Sequence, residues 1–509
     1  MDRKRIRLIA VMALLMGCLV LPLWGCGQPV AMDDSTTEAK QESAAASDAA
    51  ETNAAATEAT TTDAATTTDA ATTTDAATTT DAAATDAATQ AASLDFYDPN
   101  GDYTLKQVVV LSRHNIRAPL STNGSALDLA TPNTWINWTA NGSELTSRGG
   151  ALEVMNGQYV RKWLEHEGLI PENYRPEEGA VRFYANSKQR TIATAQYFSS
   201  GMLPVANINI ETHVEYDTMD PVFTPQFTFV SDSYNAAALE QIGQLRGSAG
   251  MEEVASGLAE SFDLITDVVD YKNSDGYKSG ELTDLDTKDT GVVIELNKEP
   301  AMTGSLKTAC SLSDALVLQY YESPDAKAAA FGHDLTLDQW KLISKAKDTY
   351  GDVLFTAPLV ATNVAHPLLV EIGNELDTEG RVFTFLCGHD SNIGSVLAAL
   401  GVEDYELPNA IEYATPIGSK LLFERWEGAD GAAYGRVRLM YQSVDQLRSG
   451  SMVSGYEAPQ SFELNFNGLQ KNENGLYSYD ELRAHIANAA AAYDELVATY
   501  ADQELAEAA

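Results

Sequence analysis

The sequence predicts an α/β fold with a mixed, largely parallel sheet flanked by helices and an inserted, mainly helical cap domain. Three apolar strands, at residues 107–111, 181–185 and 382–387, each run into a polar loop that opens an amphipathic helix. Strands that are apolar at nearly every position are typical of a sheet covered by helices on both faces. Residues 203–380 have mainly helical periodicity, which predicts the cap.

Two later runs have an apolar residue at every second position, at Val437, Leu439 and Tyr441 and at Phe462, Leu464 and Phe466. Alternation with a period of two predicts strands that have one face against the core and one wetter face. A last helix is expected from Ser478, with Glu481 completing a capping box. We expect this helix to pack outside the sheet.

The N-terminal segment predicts export and lipid anchoring. Four basic residues among the first seven precede an apolar run from Leu8 to Trp24, which is typical of a signal peptide at residues 1–25. The run ends in Leu-Trp-Gly-Cys and resembles a bacterial lipobox, so Cys26 is expected to carry the lipid and hold the protein on a bacterial membrane. An uncleaved membrane anchor is the alternative, and both place the folded part of the protein outside the cytoplasm.

Residues 26–94 predict an extended tether. The unit Asp-Ala-Ala-Thr-Thr-Thr recurs, so that Asp63, Asp69, Asp75 and Asp81 fall six residues apart. This composition offers little apolar surface to bury, and its repeated acids repel one another. The folded domain is therefore expected at residues 95–505.

Charge and cysteine content exclude several classes of protein. The formal net charge of −40 argues against binding of nucleic acid through a basic face. The domain has two cysteines, Cys310 and Cys387, so disulfides cannot be its main support. The metal-ligating spacings His-x-His and HExxH do not occur. We therefore expect neither a metal nor a cofactor.

Polar clusters follow the carboxyl ends of the three apolar strands. They contain three arginines, two histidines and one carboxylate: Arg113, His114, Arg117, Arg190, His389 and Asp390. Because the carboxyl ends of parallel strands open on one crevice, we expect these side chains to meet. Guanidinium groups bind phosphate oxygens in a bidentate way, so the crevice suits a phosphoryl group.

Transfer of that group requires a nucleophile on one side of phosphorus and a proton donor at the leaving oxygen. His114 can be the nucleophile, since neighbouring arginines disfavour its imidazolium form. Asp390 must hold a proton for the leaving alkoxide and then activates the water that cleaves the phosphohistidine. Acidic pH is therefore expected to favour turnover.

The run RHNIRAP at residues 113–119 resembles the RHGxRxP signature of the histidine acid phosphatases, and Gly388-His389-Asp390 resembles their second signature. The similarity spans roughly residues 100 to 490 and implies an acid phosphatase. His114 would be the nucleophile and Asp390 the proton donor. The implied phosphate ligands are Arg113, Arg117, Arg190 and His389.

Asn115 stands where most of that family has glycine, and asparagine there is characteristic of its glucose-1-phosphatase subgroup. The resemblance implies glucose 1-phosphate or another sugar phosphate as substrate, with inositol hexakisphosphate as the alternative. His213 and residues 218–221 resemble the specificity region of the subgroup.

Two other functions remain open at this point. A solute-binding lipoprotein would also have an anchor, a tether and an α/β body, but it needs neither His114 nor Asp390. Phosphate transfer within a sugar phosphate would use similar chemistry, and export argues against it. The oligomeric state is left open.

Overall fold

The computed structural model describes residues 96, 98–99, 101–120, 126–450 and 457–507. The predicted signal peptide, Cys26 and the tether lie outside the described residues, and the domain boundaries stay predictions. The strands are β1 (Tyr103–Arg113), β2 (Val181–Ala185), β3 (Gly291–Val293), β4 (Ala301–Thr303), β5 (Phe383–Gly388), β6 (Lys420–Gly428), β7 (Ala433–Tyr441), β8 (Gln460–Glu463) and β9 (Tyr477–Ser478). The helices are α1 (Ala126–Leu129), α2 (Ser147–His166), α3 (Gln189–Met202), α4 (Asp232–Gly243), α5 (Met251–Ser256), α6 (Ala259–Val268), α7 (Asp275–Ser279), α8 (Ser305–Glu322), α9 (Ala326–Ala329), α10 (Leu337–Phe355), α11 (Pro358–Asp377), α12 (Asp390–Ala399), α13 (Val444–Ser449) and α14 (Tyr479–Glu507).

The main sheet is mixed, in the order β2-β5-β1-β6-β7-β8, with β9 also paired to β7. Strands β2, β5 and β1 are parallel, whereas β6 pairs antiparallel with β1 and the strands beyond it continue antiparallel. The predicted mixed sheet flanked by helices is confirmed. Its parallel part is limited to the three strands that carry the polar clusters, so the sheet is less parallel than the sequence indicated.

Helices cover both faces of this sheet. Along β1, Val108 and Val110 pack in one apolar cluster with residues of α2 and α3, such as Trp163. Val109 packs on the other face, in a cluster supplied by α11, α12 and α14. Successive side chains of a strand point to opposite faces, and burial on both explains why β1 is continuously apolar.

The alternating run in β7 gave a prediction that the structure corrects. Arg436 and Arg438 alternate with Val437 and Leu439, yet both arginines are buried. Glu424 on β6 forms ion pairs with both guanidinium groups, so their charges are compensated inside the protein. A polar residue in an alternating strand therefore does not mark a wet face when a charged partner lies on the next strand.

Between α3 and β5 the chain is mainly helical, as predicted, and runs through helices α4 to α11. It also contains the antiparallel hairpin β3–β4, which the sequence did not reveal because each strand has only three residues. The longer helices share an apolar cluster that contains Leu316 and Trp340. In the described part of the chain, no single helix meets the length and hydropathy needed to cross a bilayer, although α10 and α11 do so together across an 81° bend.

Candidate active site

The three polar clusters lie at one edge of the sheet because β2, β5 and β1 are parallel neighbours. Register aligns their ends, with Arg113 opposite Gly388 and Ala185 opposite Cys387. Each chain segment then leaves the sheet at the same level. The six predicted side chains therefore come from one edge of the sheet, as the sequence indicated.

His114 follows the last residue of β1 and is held on several sides. Its backbone N–H donates to Gly388 O at 3.1 Å, and its carbonyl accepts from Gly418 N at 3.1 Å. Ring Nδ1 lies 2.9 Å from Asn115 O. A carbonyl only accepts hydrogen bonds, so Nδ1 carries the proton and Nε2 keeps its lone pair in the neutral ring.

The surroundings of His114 disfavour its charged form. Burial lowers its pKa well below the ordinary value, and the nearby charges of Arg190, His389, Arg117 and Arg113 lower it further. The imidazole is 3% exposed. The site thus holds an uncharged imidazole with a free Nε2 among three guanidinium groups.

Arg113 is fixed by carboxylates on two sides. One terminal nitrogen donates to Glu412 Oε1 at 2.6 Å and to the Thr415 carbonyl, and the other lies 3.2 Å from Asp390 Oδ2. Lys347 also binds Glu412, at 2.7 Å. Burial would raise the pKa of Glu412, but Lys347 and Arg113 outweigh it and lower the pKa to about 2. Glu412 is therefore ionised and holds the Arg113 guanidinium in place.

Arg117 and Arg190 complete the positive side of the site. Arg117 pairs with Asp314 of α8 at 3.0 Å, so a helix of the inserted region orients it. Arg190 lies in the first turn of α3 and is 6% exposed. Both arginines lower the pKa of His114 and of His389, which puts their charges close to both imidazoles.

His389 faces His114 across the site, with ring centroids 5.5 Å apart in an edge-to-face arrangement. Its Nε2 lies 2.8 Å from the amide nitrogen of Asn186, which can only donate, so Nε2 accepts and the proton is on Nδ1. Asn186 in turn accepts a hydrogen bond from Asp220 N at 3.0 Å. Residues 218–221 thus reach the site through Asn186.

Asp390 begins α12 and remains 43% exposed, the most accessible of the paired groups in the site. Enclosure by protein raises the pKa of its carboxyl, but the charges of Arg113, Lys347 and His389 outweigh that and hold the pKa below its ordinary value. A cavity of about 960 Å³ opens beside it and is also lined by Asp314, Ser391 and Asp348. In the free site Asp390 is therefore ionised, whereas from the sequence we expected it to hold a proton.

Three further charged residues belong to this site and were missed from the sequence. Lys188 caps α3, is 3% exposed and lowers the pKa of His389 together with Arg190. Burial raises the pKa of Glu299 to about 7, against the charges of Arg190 and Lys188. The third of these residues is Glu412, which holds the Arg113 guanidinium as described above. Lys188 stands two residues before Arg190 and could have been found, whereas Glu299 and Glu412 stand in segments without a motif.

His213 does not join the six residues. Its ring stacks on Tyr184, with the ring centroids 4.2 Å apart, and is half exposed beside Glu211.

In the part of the chain that the structure describes, the single group of side chains close enough to share a metal ion is Asp98, His166 and Glu167. That group contains none of the site residues, and the expected independence from metal stays a prediction.

Comparison with known proteins adds independent findings. Residues 104–442 match the model of the histidine phosphatase superfamily, branch 2. Glucose-1-phosphatase of Salmonella typhimurium is 40% identical over 75% of this chain and 92% of its own, and glucose-1-phosphatase of Providencia rettgeri is 36% identical over 77% and 93%. Hafnia alvei phytase, in its apo form, superposes with a TM-score of 0.69 at 26% identity, over 77% of this chain and 98% of that chain.

Proposed function

Because the chain belongs to branch 2 of the histidine phosphatase superfamily and is a phosphoric monoester hydrolase, we propose that it hydrolyses glucose 1-phosphate through a phosphohistidine on His114. The observation that carries the mechanism is an uncharged, buried His114 with a free Nε2 beside three arginines. The choice of glucose 1-phosphate as the proposed substrate rests on the similarity of this chain to two glucose-1-phosphatases. Arg113, Arg117, Arg190 and His389 are the proposed phosphate ligands.

In the first step, Nε2 of His114 attacks phosphorus and the bond from phosphorus to the sugar oxygen breaks. The arginines neutralise the negative charge on the three equatorial oxygens while the phosphoryl group passes from the sugar oxygen to His114. Asp390 gives its proton to the leaving alkoxide, which departs as the free hydroxyl of glucose. In the second step, Asp390 takes a proton from water, and the hydroxide attacks phosphorus and releases His114.

The charges explain how Asp390 obtains the proton. Its pKa is low in the free site because Arg113 lies 3.2 Å away. A bound phosphate adds negative charge beside the carboxylate and occupies the guanidinium, and both changes raise the pKa of Asp390. Acidic medium then increases the protonated fraction of the complex.

The lowered pKa of His114 gives an expected pH profile. At pH 5 a histidine with the ordinary pKa of 6.5 would be about 97% protonated, and would not attack phosphorus. Because burial and the arginines lower this pKa, we expect kcat/KM to persist at pH 5 and to fall only as the pH passes through the lowered pKa. Profiles for glucose 1-phosphate and 4-nitrophenyl phosphate separate enzyme from substrate ionisation. A fall that begins at pH 6.5 with both substrates would contradict the proposal.

The direct test of the substrate is phosphate release by the full chain from glucose 1-phosphate and from inositol hexakisphosphate. We expect the higher kcat/KM with glucose 1-phosphate. The alternative, a phytase, is supported by the fold that the chain shares with Hafnia alvei phytase. Preference for inositol hexakisphosphate would establish that alternative.

Glu299 supplies a structural reason for the expected preference. Its Oε1 is buried and accepts no hydrogen bond from the described residues, and it lies near Arg190 and Lys188. We propose that a sugar hydroxyl donates to this oxygen. Above pH 7, where Glu299 is ionised, a second phosphate group placed there would instead meet a carboxylate, which disfavours a substrate with many phosphates.

At pH 8, where Glu299 is ionised, we expect Glu299→Gln to lower kcat/KM for glucose 1-phosphate by about 10-fold, because a hydrogen bond to a charged acceptor becomes one to a neutral acceptor, and to raise kcat/KM for inositol hexakisphosphate. Rates of phosphate release from the two substrates measure the change. Glu295→Gln is the matched control, since Glu295 is exposed in the same segment and pairs with Lys298. An unchanged ratio of the two substrates in Glu299→Gln would remove Glu299 from the site.

We also propose that the enzyme works outside the cytoplasm, held on the membrane by lipid at Cys26 and spaced from it by residues 26–94. The basic, apolar and Gly-Cys pattern of the first 26 residues supports this. We expect Cys26→Ser to lose palmitate label and to leave the membrane fraction, while Cys18→Ser keeps both. Label retained in Cys26→Ser would exclude the anchor.

A further inference from the structure

We propose that the buried ion pair of Glu153 and Lys420 is a positioning device for the reaction, which fixes the His114 imidazole through Asn115 and Gly418. This inference rests on the proposed role of His114 as nucleophile. Glu153 accepts hydrogen bonds from Asn115 and Asn156, and Lys420 donates to Glu153 and to the Gly418 carbonyl. They act through the two residues whose backbone holds His114.

Asn115 and Gly418 determine where the imidazole lies. The Asn115 carbonyl accepts from Nδ1 at 2.9 Å and sets the tautomer that leaves Nε2 free. The Gly418 N–H donates to the His114 carbonyl at 3.1 Å. A shift in either residue would turn or displace the attacking nitrogen.

The Asn115 side chain is anchored to Glu153. Its amide nitrogen donates to Glu153 Oε1 at 2.7 Å and to Gln442 Oε1 at 3.3 Å, and its amide oxygen accepts from Ile116 N at 2.8 Å. The side chain therefore clamps the backbone that follows His114 to the first half of α2. A glycine at this position, as in the signature that the sequence resembles, would have no such anchor.

Lys420 connects the same carboxylate to Gly418. Its ammonium donates to Glu153 Oε1 at 3.0 Å and to the Gly418 carbonyl at 2.9 Å. Gly418 has φ of +69°, and a Cβ there would lie 2.5 Å from the Asn115 amide nitrogen. Glycine thus allows the two segments to touch, and Lys420 holds them together.

The burial of the pair favours a positioning role over one in stability. Both side chains are at most 1% exposed, and an ion pair taken fully out of water is weak evidence for stability because desolvation offsets the attraction. Oε1 of Glu153 collects donors from Asn115, Asn156 and Lys420, while its Oε2 accepts none from the described residues. These three hydrogen bonds all end on Glu153 Oε1, the oxygen that binds the side chain of Asn115, the residue next to His114.

The test compares two variants that remove the device in different ways. Asn115→Ala keeps the carbonyl that binds Nδ1 and removes the anchor. Glu153→Leu with Lys420→Met removes the pair without leaving a buried charge, a replacement that proteins often tolerate. Glu424→Gln is the control, because Glu424 forms an equally buried ion cluster in the same sheet away from His114.

We expect kcat to fall by about 10- to 100-fold in both variants, the cost of a misplaced reacting group, with KM changed by less than about 3-fold. Adding Asn115→Ala to the double variant should cost nothing further, since the device is already broken. In proteins labelled with ¹⁵N-histidine, the wild type should show His114 with Nδ1 protonated, and the variants a mixture of tautomers. Glu424→Gln should keep the kcat and the tautomer.

Unchanged kcat and tautomer in folded Asn115→Ala would overturn the inference, as would an equal loss of kcat in a Glu424→Gln protein that circular dichroism shows to be folded. If the double variant does not fold, as judged by circular dichroism, Asn115→Ala decides alone. Turnover that survives in His114→Ala would instead refute the proposed function. Loss of turnover there beside full activity in Asn115→Ala would refute only the positioning role.

Discussion

Replacement of His114 by alanine should reduce phosphate release from glucose 1-phosphate by at least about 10⁴-fold, the scale seen when a catalytic nucleophile is removed. No other group can take its place in the arrangement described. His389 is the nearest imidazole, but its Nε2 already accepts from Asn186 and its proton is on the other nitrogen. Phosphate binding should persist in the variant, because Arg113, Arg117 and Arg190 remain.

His166→Ala is the matched control for this experiment. It is the same substitution at a half-exposed histidine at the end of α2, beside Asp98 and outside the site. We expect full activity there. Acid-labile ³²P label on protein quenched during turnover should appear in the wild type and in His166→Ala but not in His114→Ala. Equal turnover in His114→Ala would rule out a phosphohistidine at this position.

The sequence was sufficient to assemble the site because its residues follow strand ends. An apolar strand that runs into a polar loop and a helix gives a direction as well as a position, and parallel strands bring such loops to one edge. This reasoning brought Arg113, Arg190 and Asp390 together from segments far apart in the chain. It required only that β2, β5 and β1 be neighbours, which the structure confirms.

What the sequence did not reveal depends on contacts between distant side chains. Glu412 lies 299 positions from Arg113, in a segment without periodicity, and yet it holds that guanidinium. Glu299 lies in the loop of the β3–β4 hairpin, and the charges of Arg190 and Lys188 act on it although they are far away in the sequence. A sequence motif identifies the residues that react. The residues that hold them in position come from distant segments, and only the packing of the folded chain shows which they are.

The same limit explains the charge state of Asp390. From the sequence, an acid in a crevice beside a histidine was expected to be protonated, because its role requires it. The structure places Arg113 against it and lowers its pKa. The proton is therefore acquired in the complex with substrate, and the pH dependence of kcat rather than that of kcat/KM should report on Asp390.

Asp390→Asn should lower kcat for glucose 1-phosphate by about 10²- to 10⁴-fold, the usual contribution of general acid catalysis. The variant keeps the size of the side chain and the oxygen that accepts from Ser391 N at 2.9 Å. It loses the proton that the sugar alkoxide needs. It also loses the charge that pairs with Arg113, but Glu412 still holds that guanidinium at 2.6 Å, so KM should change little.

A comparison of two leaving groups distinguishes proton donation by Asp390 from a role of Asp390 in holding Arg113. 4-Nitrophenolate is a weak base that departs without a proton, whereas a sugar alkoxide is a strong base that does not. We therefore expect Asp390→Asn to slow formation of the phosphohistidine, measured as the first-turnover release of the leaving group, much less with 4-nitrophenyl phosphate than with glucose 1-phosphate. With the sugar, the variant should also lose the fall of this rate with rising pH. Equal losses in this first-turnover rate with both substrates would mean that Asp390 holds Arg113 in place rather than donating a proton, and would assign the acid to another group.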